Sequence, residues 1–440
     1  MTEIDSTQAA SATPGGPLSG IRMLEFSQII AGPVAGVYLS DLGVDVVKVE
    51  PPRGDDRRNT MAVVPDEGKY FQSLNRGKRG LVVDLQQPEG RALIHRIIPT
   101  FDVVTINYRP GVAERLEIDY ATLSAIRSDL IYVNITGFGR GGPESNRAGS
   151  DIVAQAYSGL MATEGKTEEN GAPRFIQSAP YADRASALVV AMGVSSALYH
   201  RAQTGEGQEL EVSLLQTALD LLSRHVMQEP VHDATLRDPM MAQIHELQHT
   251  GRPYSEAIGV RADHFTRYAT QRLYYRGYHT KDGAVVLGSL TRANRVGVRR
   301  LLGIDDPTDD ADFDAADPGW PEEFAVWQER VQARMYEETA DEWVRRFDKA
   351  GVPASVVHFA EEMGDDPQVE AMEIMSDLVH PVTGPQRVVG PVVRMSKSPP
   401  TARRHAPVFG ADTAEVLLEA GIGADEIAAL MADGTILGPA

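Results

Sequence analysis

Residues 20–50 read GIRMLEFSQIIAGPVAGVYLSDLGVDVVKVE, and this stretch decides the fold. Ile21 to Phe26 is an apolar run of strand length. Pro33 to Leu42 has helical spacing and opens on proline, whose missing N–H costs nothing at a helix start. Val44 to Glu50 is a second strand. Strand, helix and strand in so short a span make a βαβ unit, which joins parallel neighbours. The alternation continues outward: a strand at Gly80 to Asp84, a helix at Gly90 to Ile98, a strand at Asp102 to Asn107, a helix at Tyr120 to Arg127 and a strand at Leu130 to Thr136. The expected fold is α/β, with a large open parallel-sheet, Rossmann-like domain covered by helices on both faces.

Past Asp183 an apolar helix is predicted to about Arg201, then a turn at TGEG (204–207), a strand from Gln208 to Val212 and a helix from Leu214 to His225. The helical pattern weakens from Met227 to Gly259, which reads as a crossing to a second domain. Tyr274 to Thr280 and Ala284 to Leu287, joined by Lys281, Asp282 and Gly283, form a hairpin signal, because Asp-Gly suits a tight turn. Asp305 to Glu323 is acidic and proline-punctuated and reads as a solvated surface connection. Glu338 to Ala350 is amphipathic, and Thr413 to Leu430 holds two short helices. The predicted layout is a flexible tail at 1–17, a large domain at 18–225 completed by 405–440, a linker at 226–258, a small α+β domain at 259–345 and a return linker at 346–404.

A chain of 440 residues is long enough for two cores. It has no cysteine, which excludes disulfides, thiolate metal sites and a cysteine nucleophile, and fits a reducing cytoplasm. The first residues lack the basic and apolar regions of a signal peptide, and the apolar run from Ala185 to Tyr199 is too short to span a bilayer. A net charge of −20 opposes nucleic acid and anionic lipid as partners. An anionic small ligand needs a local basic cluster, and Arg53, Lys78, Arg79, Arg109, Arg115 and Arg140 are candidates.

GFGRGG at 137–142 satisfies G-x-G-x-x-G after a strand, but Pro143, Glu144, Ser145 and Asn146 follow where a dinucleotide site needs a helix. A tight loop with close backbone approach is expected instead. The turn after the first strand, Ser27 to Pro33, lies where open α/β sheets bind ligands, without the glycines of a nicotinamide site. Asp183 precedes the long apolar helix, so its carboxylate reads first as an N-cap. HELQH at 245–249 fits H-E-x-x-H, yet its flanks predict only a short helix, and no metal is expected.

Several segments together resemble the class III CoA-transferase family, which includes formyl-CoA transferases, carnitine CoA-transferases and α-methylacyl-CoA racemases. They are GIRMLEF (20–26), QIIAGP (28–33), LGVDVVKVE (42–50), NRGKR (75–79), NYRPG (107–111), TGFG (136–139), TGEGQ (204–208), YHTKDG (278–283), AGVPA (350–354) and DPQV (366–369). The resemblance implies a CoA-transferase with Asp183 as nucleophile. The aspartate takes the acyl group as a mixed anhydride, then CoA as a thioester, before an acceptor acid collects it. Coenzyme A is then substrate and carrier, with no permanently bound cofactor. The partners implied are an acyl-CoA, a carboxylic acid and a second copy of the chain, in an interlocked homodimer. By the same resemblance Gln28, Ala31, Gly137, Phe138, Gly139 and Asp151 line the active site, while Arg53, Asn75, Lys78, Asn107, Tyr108, Arg109 and Arg115 lie along CoA. Arginine and lysine suit its phosphates.

Two departures narrow the chemistry. Racemases of the family carry a histidine where this chain has Ser150, and serine is a poor acid or base near neutral pH. Transfer is therefore expected over racemisation; the alternatives are a racemase using Asp151 and Asp183, or a CoA-binding protein without turnover. The glycine-rich lid of formyl-CoA transferases is not evident between Leu222 and Arg276, so formyl-CoA and oxalate are not the expected substrates.

Overall fold

A computed structural model describes residues 15–267, 273–313 and 320–439. It divides into two units, one drawn from 1–164, 175–227 and 367–440, the other from 165–174 and 228–366. Most of the predicted tail lies outside the described residues.

In chain order the first unit contains β1 (Arg22–Glu25), α1 (Ala31–Asp41), β2 (Asp45–Glu50), α2 (Lys69–Asn75), β3 (Arg79–Val83), α3 (Pro88–Ile97), β4 (Val103–Ile106), α4 (Val112–Arg115), α5 (Tyr120–Ile126), β5 (Ile131–Thr136), α6 (Asp151–Tyr157) and α7 (Leu160–Glu164). There follow α8 (Tyr181–Thr204), β6 (Gln208–Ser213), α9 (Leu214–Leu221) and α10 (Ser223–Val226). The second unit holds α11 (Pro230–His232), α12 (Asp238–His249), α13 (Tyr254–Arg267), β7 (Tyr275–His279), β8 (Ala284–Gly288), α14 (Arg292–Leu302), α15 (Trp320–Met335), α16 (Ala340–Lys349) and β9 (Ala354–Val356). The chain returns to the first unit with α17 (Pro367–Ala371), β10 (Met375–His380), β11 (Gly384–Val389), α18 (Thr413–Glu419), α19 (Ala424–Ala432) and β12 (Ile436–Leu437).

The main sheet runs β12-β3-β2-β1-β4-β5-β6, parallel except where β12 pairs antiparallel with β3. Successive strand residues point to opposite faces, so each strand serves two cores. Met23, Val46, Val103 and Val133 pack in a cluster with residues of α1 and α8, while Leu24, Val47, Val104 and Tyr132 pack in another with residues of α3, α5, α18 and α19. This is the doubly wound arrangement that the first βαβ unit predicts. The α8 helix ends at Gly205, φ +78, whose left-handed conformation glycine adopts without strain.

The second unit is built on the antiparallel sheet β7-β8-β9 with a core that includes Trp343, Phe347, Val285 and Leu287. Three expectations need correction here. The segment 226–258, expected as a linker, carries α11, α12 and the start of α13; Met240 and Ile244, one turn apart on α12, bury with Ala257 of α13, in a stretch whose polar majority hides them. Asp305 to Glu323 is not simply solvated. Asp306 is buried and accepts from the Tyr274 hydroxyl, and Asp309 pairs with Arg295 and Arg299. The span 346–404 contains β9, α17 and the β10-β11 hairpin, and the first unit resumes at residue 367. Among the described residues no helix is long and apolar enough to cross a membrane.

Candidate active site

The strand order places β1 beside β4, where the winding of the sheet reverses, and open α/β sheets bind ligands beyond the strand ends at that crevice. Asn107, just past β4, bridges it to the turn after β1. Its carboxamide accepts from the Gln28 N–H at 2.8 Å and donates to the Gln28 carbonyl at 2.7 Å. Lys48 adds a bond from Nζ to the Ser27 carbonyl at 2.7 Å. The turn so held carries Ile29 at φ 72, a left-handed conformation that costs a β-branched residue on the order of 1–3 kcal/mol. It delivers Ala31, which is buried, to the first position of α1.

Beneath the turn lies a cluster of buried charges. Lys48 pairs with Asp55 at 2.9 Å and Glu25 at 3.6 Å, and Lys78 pairs with Glu25 at 2.8 Å, all four with side chains no more than 1% exposed. Asn75 accepts from Lys78 at 2.9 Å. Burial pulls the Lys78 ammonium down to about 8 against the attraction of Glu25. Gly36 of α1 crosses directly over this pair: a Cβ there would lie 2.0 Å from Glu25 Oε2. Lys78 and Asn75 therefore sit inside the network and offer no surface to a ligand.

Asp183 lies in the first turn of α8, not at its cap. The cap position is Pro180, which contributes no side-chain bond. The amide of Asp183, one of the donors a helix start leaves unpaired, is instead taken by the Asp151 carboxylate at 3.1 Å. Ala182, Ala154, Ala31 and Ile30 share one core cluster, so this pair and the Gln28 turn are held by the same packing. The Asp183 side chain is buried, and among the described residues its carboxylate accepts no hydrogen bond. Its pKa is pushed up to about 7, first by burial and then by the Asp151 charge, with Arg57 and Arg184 opposing.

The GFGRGG loop does make a close backbone approach. Gly137 and Gly149 cross at its base, where a Cβ on Gly149 would sit 2.4 Å from the Gly137 Cα. Gly139, φ +93, donates to Thr136 Oγ1 at 2.9 Å, and Phe138 meets Tyr157 edge to face at 5.1 Å. The loop returns to α6, so the crossing fixes where Asp151 begins that helix. Ser150 is the residue before it, in extended conformation.

The remaining predicted residues divide. Tyr108 is half-buried beside Asn107, and burial raises its hydroxyl to about 12. Arg109, ahead of α4, and Arg115, its last residue, are exposed, and Arg53 is exposed and paired with Asp56 at 3.0 Å. Gln155, Arg57 and Lys48 were not legible as site residues. Gln155 stands one helical turn after Asp151, a spacing too common to signal anything alone. His245 and His249 lie on α12, longer than their flanks predict, but His249 Nδ1 contacts the His245 carbonyl at 2.7 Å. Among the described residues no three acidic or histidine side chains group as metal ligands.

Fold and site together define an open α/β protein with a buried aspartate, Asp183, tied to Asp151 and packed in one core with a braced turn at the strand ends. Residues 18–413 match the sequence profile described as CoA-transferase family III, and the chain belongs to that family. It is 31% identical to a succinate–glutarate CoA-transferase of Agrobacterium fabrum, over 92% of this chain and 95% of the relative. It is 29% identical to the human succinyl-CoA:glutarate CoA-transferase, over 92% and 86%. The crystal structure of a CAIB/BAIF family protein from Brucella suis superposes with a TM-score of 0.71 at 26% identity, covering 92% of this chain and all of that one.

Proposed function

We propose that the protein moves CoA from an acyl-CoA thioester to a carboxylic acid, with Asp183 as the covalent carrier. The observation that carries this reading is the placement of Asp183: a buried carboxylate with no hydrogen bond of its own, in the first turn of a helix, beside the switch-point crevice. A poorly solvated carboxylate is a stronger nucleophile than one in water, and burial keeps water from intercepting the intermediates.

An Asp183 oxygen attacks the thioester carbonyl and the CoA thiolate leaves, giving an aspartyl–acyl anhydride. The thiolate attacks the aspartyl carbonyl, releasing the donor acid as its carboxylate and leaving aspartyl-CoA. The acceptor carboxylate attacks that thioester and expels the thiolate, forming a second anhydride. Thiolate attack on its acyl carbonyl yields the new acyl-CoA and restores Asp183. Each step exchanges one activated acyl bond for another, so no outside energy source is needed.

In this reading Gln28, Ala31, Gly137, Phe138 and Gly139 line the reacting end, and Asn107, Tyr108, Arg109, Arg115 and Arg53 face CoA. Asn75 and Lys78 act from beneath, by bracing the strand and turn. The acid partners are dicarboxylic acids of the succinate and glutarate class, on the strength of the two relatives' activities. The working form is a homodimer. Support comes from Leu188, Met192 and Tyr199, 51%, 64% and 70% exposed along one face of α8, and from a cavity of about 740 Å³ lined by Val34, Tyr38, Arg184, Val389 and Val392.

The test is chromatographic assay of CoA esters with succinyl-CoA and glutarate. Wild-type protein forms glutaryl-CoA, and Asp183→Ala loses at least about a thousandfold in kcat. Full transfer by Asp183→Ala would refute the reading.

A further inference from the structure

Asp151, half-buried, and Asp183, buried, are neighbouring acidic residues, and their surroundings are unequal. Both Asp151 oxygens are met by donors: Oδ1 by the Asp183 amide at 3.1 Å and Oδ2 by Gln155 Nε2 at 2.6 Å. Gln155 is fully buried, and its orientation is dictated from outside the pair. Its Oε1 accepts from the Ile176 N–H at 2.9 Å, so the other end of the amide must be the NH2 group. That group is a donor only, and it faces Asp151.

The Asp151 carboxylate thus has a donor at each oxygen, whereas the Asp183 carboxylate receives none among the described residues. When two carboxylates crowd one site, the proton goes to the one its surroundings support less as an anion. Here that is Asp183. We propose that Asp151, oriented by Gln155, is a positioning residue for the nucleophile: it fixes the Asp183 backbone at the start of α8 and sets its carboxylate beside that of Asp183.

This rests on Asp183 being the carrier. A carboxylate whose proton affinity is raised is more basic and hence more nucleophilic, at the cost of being partly protonated near neutral pH. The charged groups acting on Asp183 are Asp151 from α6, Arg57 from the segment after β2 and Arg184 from α8 itself. Of these only Asp151 acts to raise the Asp183 proton affinity, and its side chain is held by the buried Gln155 amide.

The experiment is an infrared titration of the protonated-carboxyl stretch, assigned to Asp183 by its loss in Asp183→Asn. In the wild-type protein the band titrates near pH 7. Asp151→Asn removes the charge at constant shape and moves the midpoint at least about one unit to lower pH. The acid limb of the transfer rate moves with it, a displacement that loss of packing alone would not produce. Absence of the band above about pH 5 in the wild-type protein, or an unmoved midpoint in Asp151→Asn, overturns the proposal. Absence of the wild-type band overturns the proposal even if the variant does not fold. Neither result depends on turnover, whereas full transfer by Asp183→Ala would remove the catalytic reading alone.

Discussion

At Asp183 the environment that prepares the proposed nucleophile works against folding. Its proton affinity is raised from 3.8 to about 7, so between those values the folded chain holds a proton that the unfolded chain has released. Stability from this residue is therefore present below about pH 4 and falls as pH rises to about 7. Asp183→Asn removes the titration. The unfolding free energy of the variant relative to wild type should climb from pH 4 to pH 8, reaching a gain on the order of a few kcal/mol. Calorimetry at several pH values checks this, and a pH-independent difference would contradict it. The rate of transfer follows the opposite logic and declines as pH falls through about 7, because attack needs the ionised form.

At the scale of elements, the site depends on two braces that local pattern does not reveal. One is the Asn107 carboxamide across β1 and β4. Asn107→Ala strands the N–H and carbonyl of Gln28 and loosens a turn already strained at Ile29. A loss of about 1–3 kcal/mol in urea unfolding is expected, with a fall in kcat/KM of tenfold or more. An unchanged stability would mean that the turn holds itself. The other brace is the glycine crossing at 137 and 149. Its sequence resembles a dinucleotide loop, yet glycine is needed there because one backbone passes over the other, not because a phosphate does.

The βαβ succession and the sheet's two faces follow from period-two and helical spacing, and the small domain's hairpin follows from Asp282 and Gly283. The motif at Asp183 was visible, but a helix start with several orphan amides does not say which carboxylate accepts them; Asp151 does, from 32 residues earlier in the chain. Lys78 illustrates the converse. A lysine in a basic segment reads as a phosphate ligand until Glu25, 53 residues away, is seen to bury it. The helices between 230 and 267 were missed because their apolar residues are few and largely polar neighbours mask the spacing.

For the whole molecule, the exposed apolar face of α8 and the side chains of Met61 and Val63, 94% and 98% exposed, are unfavourable in water unless covered. Light scattering should therefore give twice the 47.8 kDa chain mass at micromolar concentration, and Met192→Asp should weaken the assembly. A wild-type protein that stays at one chain mass would contradict the dimer.

The most direct test of the central claim is chemical trapping. Protein incubated with succinyl-CoA and then hydroxylamine, without an acceptor acid, should carry a hydroxamate on the peptide containing Asp183, found by mass spectrometry, and none in Asp183→Ala. Rapid turnover with no adduct at Asp183, or an adduct on another residue, would contradict the account.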